Sequence, residues 1–221
     1  MNPALTASCF PLMHESNDGG EPEGVVDCLA QAVTFHRRFA MAKRLPYAPC
    51  MFLPFRLREQ APKLALVFDV SSYADHPFCA LSPFWPHGGI PVPGMPGTTS
   101  DSVEGIWQGL KLIGGKIAPR YFAGQGHKRG GMPRGHQYGD KLLKIVEARE
   151  KVYRVAYEWM LNHRADSALI SGFVEQAFAG VQQYFHDVSN NGSIGDPDEG
   201  WAHAAVLVQY LNRRCQAHTA V

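Results

Sequence analysis

A carboxylate beside an indole, at the edge of an apolar stripe, is the arrangement in this chain best suited to moving a proton. In the stretch DSVEGIWQGLKLI (101–113), Glu104, Gln108 and Lys111 recur at helical spacing and fall on one narrow polar stripe. Val103, Ile106, Leu110 and Ile113 form an apolar stripe, and Trp107 stands between the two. Burial against such a border raises a carboxyl pKa toward the range useful for general acid–base work. The same spacing also fits a capping box, with Asp101 as N-cap and Glu104 as its N3 partner. Spacing alone leaves both readings open.

Cations and glycines follow directly. Lys111, Lys116, Arg120, Lys128, Arg129, Arg134 and Lys141 face only Asp140, in a run punctuated by Gly124, Gly126, Gly130, Gly131 and Gly135. Backbone N–H groups freed by glycine, together with Lys and Arg, suit a phosphate, either in a nucleotide or in a nucleic-acid backbone. Tyr121, Phe122 and Tyr138 offer faces on which a base stacks, and His127 and His136 add donors. No GxxxxGK[ST] run is present, so this is not a P-loop. A solvated, flexible basic loop accounts for the same composition.

Downstream, DVSNNGSIGDPD (187–198) places Asp187, Ser189, Asn191, Gly192 and Asp198 at EF-hand positions. Asp stands where a bidentate Glu is usual and Pro197 lies inside the loop, so an Asx-turn connection is the better fit to the residues. Asp187 remains a candidate catalytic carboxylate. The ten histidines form no HExxH, and no GxSxG serine elbow occurs. Cys79 lacks an identifiable base and reads as a small apolar residue.

The elements that must position these residues are several and short. Periodicity predicts a helix from Val25 to Lys43 after a loose arm over 1–24, and strands over 50–55 and 64–70, the first an edge strand because of Pro54. Residues 71–100, with six prolines and four glycines, predict a long rigid loop. Helices are expected at 101–113, about 140–163, about 166–186 and 201–213. The expected architecture is α+β: one mainly helical domain over 25–221 with a few short strands.

Composition narrows the classes further. The chain has 221 residues, 45% of them hydrophobic and 19% charged, with a formal charge of +1. That excludes a wholly disordered chain and a globally basic nucleic-acid binder. Five cysteines without a CxxC pair, and an N-terminus lacking a basic, apolar leader, predict free thiols and a cytoplasmic location. No run approaches a membrane-spanning length, so no membrane partner is expected.

Read together, Leu81-Ser-Pro-Phe-Trp-Pro86 followed by Ser102-Val-Glu-Gly-Ile-Trp-Gln-Gly-Leu-Lys111 resembles the NADAR family, the YbiA-like N-glycosidases, over about residues 64–113. Pro83 and Gly105 stand where that family has Asn and His. The resemblance implies a hydrolase that uses no cofactor or metal and cleaves the N-ribosyl bond of an ADP-ribosyl or ribosyl-phosphate compound, free or carried on nucleic acid. It implies Glu104 and, further downstream, Asp187 as the catalytic carboxylates. Phe84, Trp85, Trp107 and Gln108 would then wall the pocket, and Lys111, Arg120, Lys128 and Arg129 would meet phosphate. Two alternatives come from other classes. One is a non-catalytic nucleotide- or nucleic-acid-binding module using loop 114–141; the other is a structural calcium-binding protein.

Overall fold

A computed structural model of the protein describes residues 45–219. The arm over 1–24, the helix expected from Val25 to Lys43, and Cys9 and Cys28 lie outside the described residues. Within the described residues the fold is α+β: five helices, counting the two flanking a π-helical turn separately, and short strands in small sheets.

Three strands make the central sheet. β1 (Met51–Phe52) ends before Pro54, and β2 (Leu66–Asp69) lies in the second expected strand. The strand between them, β7 (Gln183–His186), comes from far along the chain. Both neighbours run parallel to it, with Phe52 and Phe68 in register with Phe185. Phe68, Phe173 and Phe185 pack with ring centroids 5.0–5.2 Å apart, which ties the sheet to helix α4 (Ser167–Phe178). The last helix, α5 (His203–Thr219), buries Leu207, Leu211 and Cys215 in the same core.

β7 corrects the expected helix over 166–186. That helix stops at Phe178, and Gly180 adopts φ +79°, a left-handed turn that ends helices. The aromatic, alternating Gln183-Tyr-Phe-His186 then continues as strand. The helix expected from Asp140 is corrected at its start. Residues 136–143 form a hairpin, β5 (His136–Tyr138) with β6 (Lys141–Leu143), turned by Gly139 at φ +54° and Asp140. Only then does the helix begin, as α2 (Ile145–Ala148), a π-helical turn (Arg149–Tyr153) and α3 (Arg154–His163).

The proline-rich loop is organised by a 3-10 turn (Phe78–Leu81) and a small hairpin, β3 (Ile90–Pro91) with β4 (Thr99–Ser100). It delivers the chain to α1 (Val103–Gly109), which is shorter than expected. Ser102, not Asp101, is its N-cap, with Oγ accepting from the Gly105 N–H at 3.1 Å. Asp101 instead accepts from the Gly124 N–H at 2.6 Å. The capping box between Asp101 and Glu104 is therefore not formed, and the Glu104 side chain is free for other work.

Candidate active site

α1 carries Glu104 in its first turn and places it against the wall of a cleft of about 810 Å³. The backbone around it is fixed on both sides. The Glu104 N–H donates to the Pro83 carbonyl at 2.8 Å, and the Gly126 N–H donates to Phe84 at 3.0 Å. Gly126 lies so close that a Cβ there would sit 2.6 Å from Glu104 Cβ. The Leu81–Pro86 turn and the Gly-rich loop thus pack on the glutamate and on each other.

Its carboxylate is aimed by a relay. Arg129 donates its backbone N–H to Gln108 Oε1 at 3.0 Å, and Gln108 Nε2 donates to Glu104 Oε1 at 2.6 Å. The amide orientation of Gln108 is therefore set, and Glu104 Oε2 is left without a hydrogen-bond partner among the described residues. Glu104 is 7% exposed. Burial raises its pKa, and the Gln108 hydrogen bond and the charges of Lys111, Lys128 and His203 only partly oppose that rise. Lys111 is pulled down by its own burial, against the pull of Glu104.

Asp187 forms the opposite case. It follows β7, is 1% exposed, and has both oxygens engaged. Oδ1 accepts from the Ser189 N–H at 2.6 Å; Oδ2 accepts from the Ala204 N–H at 3.1 Å and from His203 Nδ1 at 2.8 Å. Burial alone would raise this carboxyl, but the His203 charge and these hydrogen bonds outweigh it and bring the pKa down to about 2. His203 Nε2 meets the Val70 carbonyl at 2.7 Å. A carbonyl only accepts, so both ring nitrogens carry protons and His203 is an imidazolium. Burial opposes that charge, yet Asp187, the Val70 carbonyl and Glu104 together raise its pKa. The Asp187–His203 pair is locked, and neither member is free to shuttle a proton.

The same cleft contains Phe84, Trp107, Gln108, Lys111, Lys128 and Arg129. Other expected contacts fall elsewhere. Trp85 is turned outward, 39% exposed, with its ring 6.3 Å from His76. Arg120 is exposed over the Tyr121 ring, outside the cleft lining. Arg129 reaches the cleft, but its guanidinium donates to the Lys111 carbonyl at 2.7 Å and the Lys116 carbonyl at 3.2 Å, so it holds the loop together. Phe122 is buried against Gly109, and neither it, Tyr121 nor Tyr138 lines the cleft for stacking. The segment before 187 is a strand and the Asp187 carboxylate is spent internally, which removes the EF-hand reading. Among the described residues, no three His, Cys, Asp or Glu side chains are grouped to hold a metal.

Three cleft residues escaped the sequence reading. His203 opens α5, sixteen positions from its partner, with no local signal of the pairing. Tyr153 and Arg149 lie in the π-helical turn, and their spacing of four was the available clue. His136, expected only as a donor, is 1% exposed, stacked on Trp107 at 3.8 Å, and neither ring nitrogen has a hydrogen-bond partner among the described residues. Burial and the Lys111 charge lower its pKa to about 3, so it is neutral.

The chain belongs to a family of unknown function, DUF6939, whose model matches residues 54–207. No curated protein and no solved structure matches it. The matched span runs from the sheet through Glu104 and Asp187 to the first turn of α5, so the whole cleft lies within the family's domain.

Proposed function

We propose that the protein is an N-glycosidase that hydrolyses the N-ribosyl bond of an ADP-ribosyl or ribosyl-phosphate compound. One observation carries this reading: a single cleft is lined by a buried carboxyl, Glu104, with one oxygen lacking a hydrogen-bond partner among the described residues, and by a second carboxyl, Asp187, whose oxygens are both held by donors. Two carboxyl groups in contrasting environments are what departure of a base through an oxocarbenium-like state requires. The resemblance around Glu104 points to the same chemistry.

Glu104 Oε2 gives its proton to the leaving nitrogen as the C–N bond breaks and its electron pair passes to the base. The resulting carboxylate takes a proton from the water whose oxygen bonds to the anomeric carbon, which restores the acid. Asp187 holds its charge throughout, and the His203 imidazolium keeps it ionised. Lys111 and Lys128 meet phosphate at the rim, while Phe84 and Trp107 wall the base.

The test is incubation with NAD, ADP-ribosylated nucleosides and ribosyl-aminopyrimidine phosphates, with chromatography of the released base. Release by wild type and its loss in Glu104→Gln is the expected result. No release from any of these classes overturns the proposal.

A second reading, a non-catalytic nucleic-acid-binding module, is favoured by one observation. Lys116, Arg120, Arg134 and Lys141 are all exposed and stand outside the cleft. Backbone binding through them would weaken steeply with salt, whereas a small ligand held in the cleft would respond far less. Binding to a labelled oligonucleotide at two salt concentrations separates the two.

A further inference from the structure

Tyr153 and Tyr157 stand one helical turn apart at the junction of the π-helical turn and α3, and they spend their hydroxyls differently. Tyr157 Oη donates to the Leu81 carbonyl at 2.6 Å and is wholly structural. Tyr153 lines the cleft, is 8% exposed, and its hydroxyl makes no hydrogen bond among the described residues. Its ring is nonetheless held on three sides: edge-on to Trp107 at 5.5 Å, parallel to Tyr157 at 6.2 Å, and tilted against Trp201 at 6.1 Å. A ring so fixed has no freedom to take its hydroxyl elsewhere. Burial, then the charges of Glu104, Tyr157 and Asp187, push the phenol well above its ordinary pKa, so it remains an O–H donor. Both cleft carboxylates therefore act on this one hydroxyl. A π-helical turn is an uncommon device, and it commonly marks a functional position.

We infer that Tyr153 is the sugar-reading residue of the cleft, its hydroxyl bonding the 2-hydroxyl of the ribose whose anomeric carbon lies between Glu104 and Asp187. The inference rests on the hydrolase reading for the identity of the ligand, but not for the existence of the contact. The 2-hydroxyl is the sugar group adjacent to the anomeric carbon, and hydrogen bonds to it strengthen as positive charge develops there. A donor whose ring is already held by Trp107, Tyr157 and Trp201, with no protein acceptor among the described residues, needs little reordering to meet the sugar.

The test pairs Tyr153→Phe with ADP-ribose and with the same compound lacking the 2-hydroxyl of its terminal ribose, measured by titration calorimetry. Removing either hydroxyl is expected to weaken binding by about tenfold to a hundredfold, and removing both should weaken it no further. Tyr153→Phe that binds both ligands as wild type does, or losses that multiply, would overturn the inference. A collapse of Tm in Tyr153→Phe would also overturn it, because it would give the hydroxyl a structural duty. Wild type that binds ADP-ribose yet releases no base from any substrate leaves the Tyr153 contact standing and removes the hydrolase reading. Wild type that binds neither ligand overturns the Tyr153 inference, and the base-release assay alone then decides the hydrolase reading.

Discussion

Glu104 and Asp187 are chemically alike, and they differ here because of what their oxygens touch. Glu104 has one oxygen held by Gln108 and the other open. Glu104→Gln keeps the hydrogen bond from Gln108, since an amide oxygen accepts equally well, but it cannot give an acidic proton. Turnover of an accepted substrate is expected to fall by about 10²–10⁴-fold with Tm little changed; steady-state base release and a melting curve check this. Asp187→Asn behaves differently. Every partner of the carboxylate is a donor, so the NH₂ of Asn must face either the Ser189 N–H or the Ala204 N–H and His203 Nδ1–H, and the buried imidazolium loses its counter-charge in both cases. Loss of one partner from a buried pair costs about 3–5 kcal/mol, so thermal or urea unfolding should show a marked loss of stability as well as of activity. The neighbouring cations divide in the same way. Lys128→Glu should weaken phosphate-bearing ligands with Tm unchanged, because that side chain is exposed. Arg129→Glu should lower Tm, because its guanidinium ties Lys111 to Lys116. Affinity and Tm measured on each single variant test the division.

At the scale of elements, α1 is welded to the 3-10 turn Pro119–Phe122 by two glycines on one face. A Cβ on Gly105 would lie 2.5 Å from the Tyr121 carbonyl oxygen, and one on Gly109 would lie 2.3 Å from the Phe122 ring. The resemblance that places His at position 105 thus meets a site with no room for any side chain. Gly126 plays the same part against Glu104, so Gly126→Ala should displace the loop or the glutamate and reduce kcat more than Tm. These close approaches were not legible in the sequence, where Gly126 reads as free backbone for an anion and Gly105 only as a departure from the resembled family. What was legible was the helix bearing Glu104, Gln108 and Trp107, because its periodicity was local. The Ser102 cap was missed by one residue, since Asp101 and Ser102 both suit an N-cap and only the approach of Gly124 to Asp101 decides between them. β7 was not legible because the apolar pattern runs on across Gly180, and only the left-handed turn there ends the helix.

For the molecule as a whole, opposing titrations set a stability optimum. Asp187 is depressed from its ordinary 3.8 to about 2, so its contribution is present above 3.8 and is lost as pH falls toward 2. His136 is depressed from 6.5 to about 3, so the unfolded chain takes up a proton that the folded one refuses, and stability falls as pH drops below 6.5. His203 is raised, so its contribution is present below 6.5 and is lost as pH climbs through its folded value. Urea unfolding across pH should therefore peak near 6.5. His136→Phe, which removes two unpaired buried nitrogens, should flatten the acid side and melt at or above wild type. The α+β class was readable from composition and periodicity, and no helix among the described residues is long and apolar enough to cross a membrane. The cleft as a whole was not readable, because it is assembled from segments more than a hundred residues apart.

The placement of β7 between β1 and β2 governs the order in which the chain is able to fold. Two outer strands from residues 51–69 wait for a middle one made at 183–186, so on a ribosome the sheet has no centre until more than a hundred further residues have emerged. Until then the nascent strands expose unpaired backbone, including Leu66 and Val67, which remain partly exposed even in the finished fold. Such a non-local ladder predicts slow refolding for a chain of this size, and it predicts that any fragment ending before Gln183 stays unfolded and aggregates. The sheet, and with it Asp187 immediately beyond β7, is completed only once residues 183–187 are in place, so the wall of the cleft and the centre of the sheet form together.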